Sequence, residues 1–252
     1  MGLTPPTDGH LFFAGDHRLE GILEWPEDGA AGAAVATAPA GADDRAARGG
    51  VVVAHPYSLA GGTMAQPVVY RVAQACRQRG LAAFRFNFRG VGQSGGAFSG
   101  TEEYRDVEAA AAFLRGRLAS AVGDASPGPR TLPLALAGYS FGSVMAARAA
   151  AGPVPVEALA LVGLVVSWEE FPPDTLERLR RFRGPVLAVC AENDELARPD
   201  EVERALASLG LDLTLEVIKG AGHYLEGRHR EVGELVADFL STRLRLHRYG
   251  GD

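Results

Sequence analysis

Cysteine is nearly missing from this chain of 252 residues: Cys76 and Cys190 are the two present, and they lack CxxC spacing. Each sits in an apolar segment and reads as a small core residue kept reduced, which excludes a disulfide framework and a cysteine-based metal site. Long blocks of like charge are missing as well, and the formal net charge is -6. Nothing in that balance attracts phosphate backbones or anionic lipid at long range, so neither nucleic acid nor a membrane surface is an expected partner. No stretch approaches the roughly 18 apolar residues of a membrane span. The start, MGLTPPTDGHLFF, lacks a basic segment followed by a long apolar run, and a cytoplasmic protein is expected. No internal repeat is found.

What is there is ordinary globular material, 47% hydrophobic and 22% charged, in a chain long enough to bury one large core; a single domain over residues 1–252 is expected. Short runs rich in Val, Ile and Leu alternate with segments of helical period. That alternation predicts an α/β fold, a mostly parallel sheet of about eight strands covered by helices on both faces. A hairpin is expected over His10 to Asp16 and Arg18 to Trp25, where apolar and polar residues roughly alternate. Pro26 to Gly50 is almost all Ala, Gly, Pro and Asp, too poor in large apolar groups to order itself, and is expected to be a flexible insertion. From Val51 the strands are predicted at Val51 to Ala54, Ala82 to Phe88, Leu132 to Ala137, Ala158 to Val166, Pro185 to Cys190 and Leu213 to Ile218. Helices are predicted between them at Ala65 to Gly80, Glu102 to Leu118, Phe141 to Ala151, Asp174 to Phe182 and Asp200 to Leu209, with a closing helix presenting Val232, Leu235, Val236, Phe239 and Leu240.

Two stretches fit the pattern G-x-S-x-G: GYSFG, Gly138 to Gly142, and GQSGG, Gly92 to Gly96. A serine nucleophile on a sharp turn needs a buried strand before it and a helix after it. GYSFG has both, because the apolar run from Leu132 leads in and Phe141-Gly142-Ser143-Val144-Met145-Ala146-Ala147 leads out. Gly138 and Gly142 then leave room around a residue in strained conformation. Ser94 lies in the glycine-rich FRGVGQSGGAFSG, with no helix until about Glu102, and reads as a loop residue.

A serine hydroxyl is a weak nucleophile without a base and an orienting acid. His223, in GAGHY, follows the last predicted strand, and Asp194, in AENDELARP, follows the strand ending near Cys190. Both fall at the carboxyl edge, where open α/β sheets place their sites. The chain order Ser140, Asp194, His223 is the order an α/β-hydrolase arrangement requires. Asp200, which reads as a helix start, and Glu192 are the rival acids; His10, His17, His229 and His247 read as surface residues. An oxyanion hole needs two backbone N–H groups. Phe141 follows the nucleophile, and Tyr57 is the candidate from the loop after Val51 to Ala54, because Pro56 has no N–H. His55 would brace that loop rather than transfer protons.

With HPYSLAGGTM, FRFNFRGVGQSGG, AENDELARP and GAGHY beside GYSFG, the chain from about Val51 onward resembles the α/β-hydrolase superfamily, most of all its small, cap-poor branch of serine hydrolases related to dienelactone hydrolases. The resemblance implies Ser140 as nucleophile, Asp194 as acid and His223 as base, and a structural loop at Asn87 to Ser94. Dienelactone hydrolases proper carry cysteine where Ser140 stands, so their substrate is not carried over. Only Ser167 to Gly184 is available for a cap, so an open site is expected, with Trp168, Phe171 and Tyr57 as an apolar rim that binds substrate. The expected activity is cleavage of a small carboxylic ester through an acyl-serine, with thioester and amide as further bond types and no metal or organic cofactor. A non-catalytic binding protein on the same fold is the competing expectation; an intact set of Ser, His and Asp argues against it.

Overall fold

Five strands are buried along their whole length, which is what continuous runs of Val, Leu and Ala produce when helices cover both faces of a parallel sheet. In the computed structural model, which describes residues 9–26, 47–122, 131–167 and 172–249, these are β3 (Gly50–Ala54), β4 (Ala82–Phe86), β5 (Leu134–Tyr139), β6 (Ala158–Val162) and β7 (Val186–Ala191). Before them come β1 (Gly9–Ala14) and β2 (Arg18–Glu24), and β8 (Leu213–Ile218) closes the far edge. The eight strands lie in the order β1-β2-β4-β3-β5-β6-β7-β8. Pairing is parallel from β4 to β8, while β2 runs antiparallel to both β1 and β4. The expected hairpin and mostly parallel sheet are therefore both present. Of the expected insertion, residues 27–46 lie outside the described residues.

Alternate residues of one strand feed two cores, as a period of two requires. Val51 and Val53 face α1 (Pro67–Gln78) and α6 (His229–Tyr249), where Val68, Val72, Val232 and Val236 are buried. Val52 faces the other way, toward α2 (Tyr104–Val122), α3 (Phe141–Ala149), α4 (Thr175–Leu179) and α5 (Pro199–Ala207), which bury Leu114, Val144, Leu179 and Leu206. Each such buried side chain contributes roughly 1.5–3 kcal/mol of transfer free energy. Between β6 and β7 the described residues hold only α4, and no cap domain over the sheet edge is found among the described residues.

Most element ends shift by a few residues from the sequence expectation, and three of the shifts have a visible cause. The first strand of disagreement, β4, ends at Phe86 because the Phe88 N–H is diverted to the His55 Nε2 at 3.1 Å instead of a ladder carbonyl. β6 ends at Val162 because Gly163 takes φ 57, a left-handed conformation that turns the chain. The apolar run Leu164 and Val165 is buried loop, not strand. α1 begins at Pro67, whose missing N–H is harmless at the first helical position.

The fold hinges on one close approach. A Cβ on Gly142 would stand 2.4 Å from the Ala54 carbonyl oxygen and 2.5 Å from that of His55, both main-chain atoms that cannot swing aside. Gly142→Ala should therefore push α3 off the end of β3. We expect a loss of about 3 kcal/mol or more in denaturant unfolding; a loss below about 1 kcal/mol would show that the contact is slack.

Candidate active site

β5 runs into α3 through a turn that holds Ser140 at φ 53 and ψ -119, a conformation that L residues rarely adopt. Such strain costs roughly 1–3 kcal/mol and persists only where the surroundings over-determine it. Here they do. The Ser140 N–H donates to the Val162 carbonyl at 2.8 Å, and the Ser143 hydroxyl donates to the Ser140 carbonyl at 2.6 Å. Gly138 allows the turn to close, since a Cβ there would lie 2.2 Å from the Gly142 carbonyl oxygen.

Three predicted residues come together around that turn. The Ser140 Oγ lies 2.9 Å from His223 Nε2, and His223 Nδ1 lies 2.8 and 3.0 Å from the two carboxylate oxygens of Asp194. A carboxylate only accepts, so Nδ1 carries the ring proton and Nε2 is left to accept from the Ser140 hydroxyl. The loops after β7 and β8 supply the acid and the imidazole at the carboxyl edge of the sheet. Asp194 is buried, and burial raises its pKa, but the hydrogen bond from His223 and the N–H groups of Ala197 and Leu196 at 2.8 and 2.9 Å outweigh burial and hold it below the usual carboxylate range. It stays an anion that only accepts.

The sequence did not disclose the residues that fix the His223 ring. The Tyr139 hydroxyl donates to the His223 carbonyl at 2.8 Å, and its ring lies stacked on the imidazole at 5.8 Å between centroids. Gly163 packs beside the imidazole, where a Cβ would meet Cε1 at an ordinary 3.4 Å, and it is the left-handed φ of 57 that calls for glycine there. Tyr139 sits inside GYSFG and Gly163 ends an apolar run, so each carried a signal that read as something else.

The rival residues go elsewhere. Glu192 clasps the loop before His223, accepting from Lys219 Nζ and the Gly220 N–H at 2.9 Å each. Asp200 lies in the first turn of α5 and accepts from Arg204 at 2.9 Å. Ser94 is a latch: its hydroxyl donates to the Asn87 carbonyl at 2.7 Å and accepts from the Glu20 N–H at 2.9 Å. His55 is fully buried, donating from Nδ1 to the Pro56 carbonyl at 2.7 Å and accepting at Nε2 from Phe88. His10 departs from the surface reading in part, since its ring, 42% exposed, contacts buried Glu20. Trp168 and Phe171 lie outside the described residues. Around Ser140 and His223 opens a cleft of about 210 Å³, walled by Tyr57, Tyr139, Phe141, Val165, Leu196 and Tyr224. No helix among the described residues is long and apolar enough to cross a membrane.

A serine, an imidazole and a carboxylate in series at the carboxyl edge of an eight-stranded, mostly parallel sheet define the class of α/β hydrolases. Comparison with known proteins agrees: residues 47–243 match the family model described as alpha/beta hydrolase domain. The chain belongs to the alpha/beta hydrolase family. Among solved structures it is similar to an alpha-beta serine hydrolase homologue from Coxiella burnetii, 27% identical with a TM-score of 0.75, covering 94% of this chain and 100% of that one. A Xanthomonas campestris a/b serine hydrolase described as without lid is 26% identical, with a TM-score of 0.68 and coverage of 99% and 98%. Among curated proteins an uncharacterized one from Rickettsia prowazekii is 25% identical over 205 residues, 76% of this chain and 78% of its own length.

Two outcomes test the bracing. Burial lowers the His55 pKa to about 4, against a partial upward pull from the Pro56 carbonyl. A depressed histidine is neutral when folded and takes up its proton on unfolding, so its contribution is intact above about pH 6.5 and is lost as pH falls toward 4. That amounts to about 3 kcal/mol. The unfolding midpoint of wild type should fall more steeply between pH 6.5 and 4 than that of His55→Gln; parallel curves would contradict it. Ser94→Ala should lower stability by about 1–3 kcal/mol, because the buried Glu20 N–H loses its acceptor.

Proposed function

We propose that the protein is a serine hydrolase that cleaves a carboxylic ester of a small molecule through an acyl-serine. The observation that carries this reading is the continuous hydrogen-bonded series from Ser140 Oγ through His223 to Asp194 on a strained turn. Hydrolysis is the activity class that the family supports, and ester cleavage by this chain is our own reading of its site.

The Ser140 Oγ attacks the carbonyl carbon while His223 Nε2 takes its proton. Asp194 keeps Nδ1 protonated and stabilises the imidazolium as it forms. The tetrahedral oxyanion is held by the backbone N–H groups of Phe141 and Tyr57. Support comes from the contact of Gly142 with the Ala54 and His55 carbonyls, which brings the start of α3 against the loop after β3, and from the Tyr57 and Phe141 rings, 5.7 Å apart. Collapse breaks the bond to the leaving oxygen, which receives the proton from His223. Water then attacks the acyl-serine, gives a proton to His223, and the acid leaves as that proton returns to Ser140. Removing one oxyanion donor from such a site costs about 2.7–4 kcal/mol of barrier.

A binding protein without catalysis would leave a histidine and a buried carboxylate aligned on a serine with no use for either. A fluorophosphonate separates the readings, because it phosphonylates an activated serine with loss of fluoride and needs no knowledge of the substrate. By intact mass, labelling should be complete in wild type and Ser94→Ala, absent in Ser140→Ala, and slowed by about 10³-fold or more in His223→Ala. Folded wild type that takes no label would sink the hydrolase reading.

A further inference from the structure

The walls of the cleft carry no charge. Among the described residues that line it there is no Arg, Lys, Asp or Glu; aromatic and aliphatic side chains dominate, and the polar groups are Ser140, His223, tyrosine hydroxyls and Gln66. The Tyr139 hydroxyl is already committed to the His223 carbonyl.

Gln66 is a polar group of the lining that the proposed chemistry does not use. Its backbone is fixed: it precedes α1, its N–H donates to the Thr63 carbonyl at 3.1 Å, and its own carbonyl accepts from Tyr70 at 2.9 Å. Its side-chain amide, by contrast, makes no hydrogen bond with any described residue and stays open to solvent, in a residue half-buried at an apolar cleft. An amide so placed offers two N–H donors and one carbonyl acceptor to whatever enters.

The mouth is apolar too. Four large hydrophobic residues are exposed among those described, and two of them, Leu196 at 52% and Tyr224 at 66%, belong to the cleft, while a third, Leu59 at 70%, adjoins its lining residue Ala60. Three separate loops, after β3, β7 and β8, contribute them. The Tyr139 phenol, raised above its ordinary range first by burial and then by Asp194, Tyr224 and Glu226, stays protonated and adds no charge to the wall.

We infer that the cleft selects an uncharged ester, whose apolar part lies along Leu196 and Tyr224 and whose neutral polar group hydrogen-bonds the Gln66 amide, and that it rejects esters bearing a carboxylate. This rests on the hydrolase reading above and names the substrate class for that site. An anionic group entering here meets no cation and must shed water against apolar walls. A neutral polar group exchanges its bonds to solvent for bonds to the Gln66 amide at little loss.

Two nearly isosteric esters test it, 4-carbamoylphenyl butyrate and 4-carboxyphenyl butyrate, with plain phenyl butyrate as reference and each rate divided by its alkaline hydrolysis rate. Wild type should favour the carbamoyl ester over the carboxylate by about 30-fold or more in kcat/KM. Leu196→Arg, at an exposed position that should not disturb folding, should narrow that gap at least about fivefold by supplying a counter-ion. Gln66→Leu should lower the ratio of carbamoyl to plain ester about fivefold. Equal rates for the amide and the carboxylate, or a Gln66→Leu ratio that does not move, would overturn the inference and leave the hydrolase standing. So would failure to turn over any of these esters while fluorophosphonate still labels Ser140; no labelling at all removes both readings together.

Discussion

The structure depends on how closely the start of α3 approaches the end of β3. Gly142 lies where a single methyl group would strike two main-chain carbonyls, and Gly138 lies where it would strike the turn itself. With both sides closed, Ser140 has no room for an ordinary conformation and is held at φ 53. The strain points the hydroxyl out of the turn and toward the loop that carries His223. The same approach sets the α3 N-terminus beside the loop of Pro56 and Tyr57, so one packing contact positions both the proposed nucleophile and the proposed anion-binding amides.

Around this contact the chain uses neutral and well-paired groups as braces. His55 joins the loop after β3 to the loop after β4 as an uncharged imidazole. Asn87 donates to Glu20 and accepts from the Met64 N–H, while Ser94 ties the glycine loop back to β2. Each buried polar atom in this set has a partner, which lets irregular backbone lie against the core without losing its hydrogen bonds. The glycine-rich match GQSGG thus serves the site indirectly, by fixing the floor on which the β3 loop rests.

Much of this was legible because it follows local rules. Buried Val, Leu and Ala runs gave the strands, and the contrast between a strand leading to Ser140 and a loop around Ser94 separated the two serines. Strand ends placed Asp194 and His223 on one edge, and the geometry joins them. What was not legible depends on contacts distant in sequence. Phe88 leaves the β4 ladder because His55, 33 residues earlier, takes its N–H. Leu164 and Val165 look like strand but are buried loop, since Gly163 turns the chain first. Tyr139 holds the His223 carbonyl across 84 residues. Gln66 and Leu196 stand out only once the cleft is closed around them. No pattern in a sequence marks a polar group that the fold leaves without a partner.

The central claim is that Ser140 becomes acylated and water then releases the acid. Butyrate esters with several leaving groups, hydrolysed in water containing a fixed amount of methanol, would test it most directly. A common acyl-serine must partition between water and methanol in one ratio, so the account predicts the same proportion of methyl butyrate to butyric acid from every ester. A proportion that changes with the leaving group would mean that water attacks the ester itself, and would contradict the account.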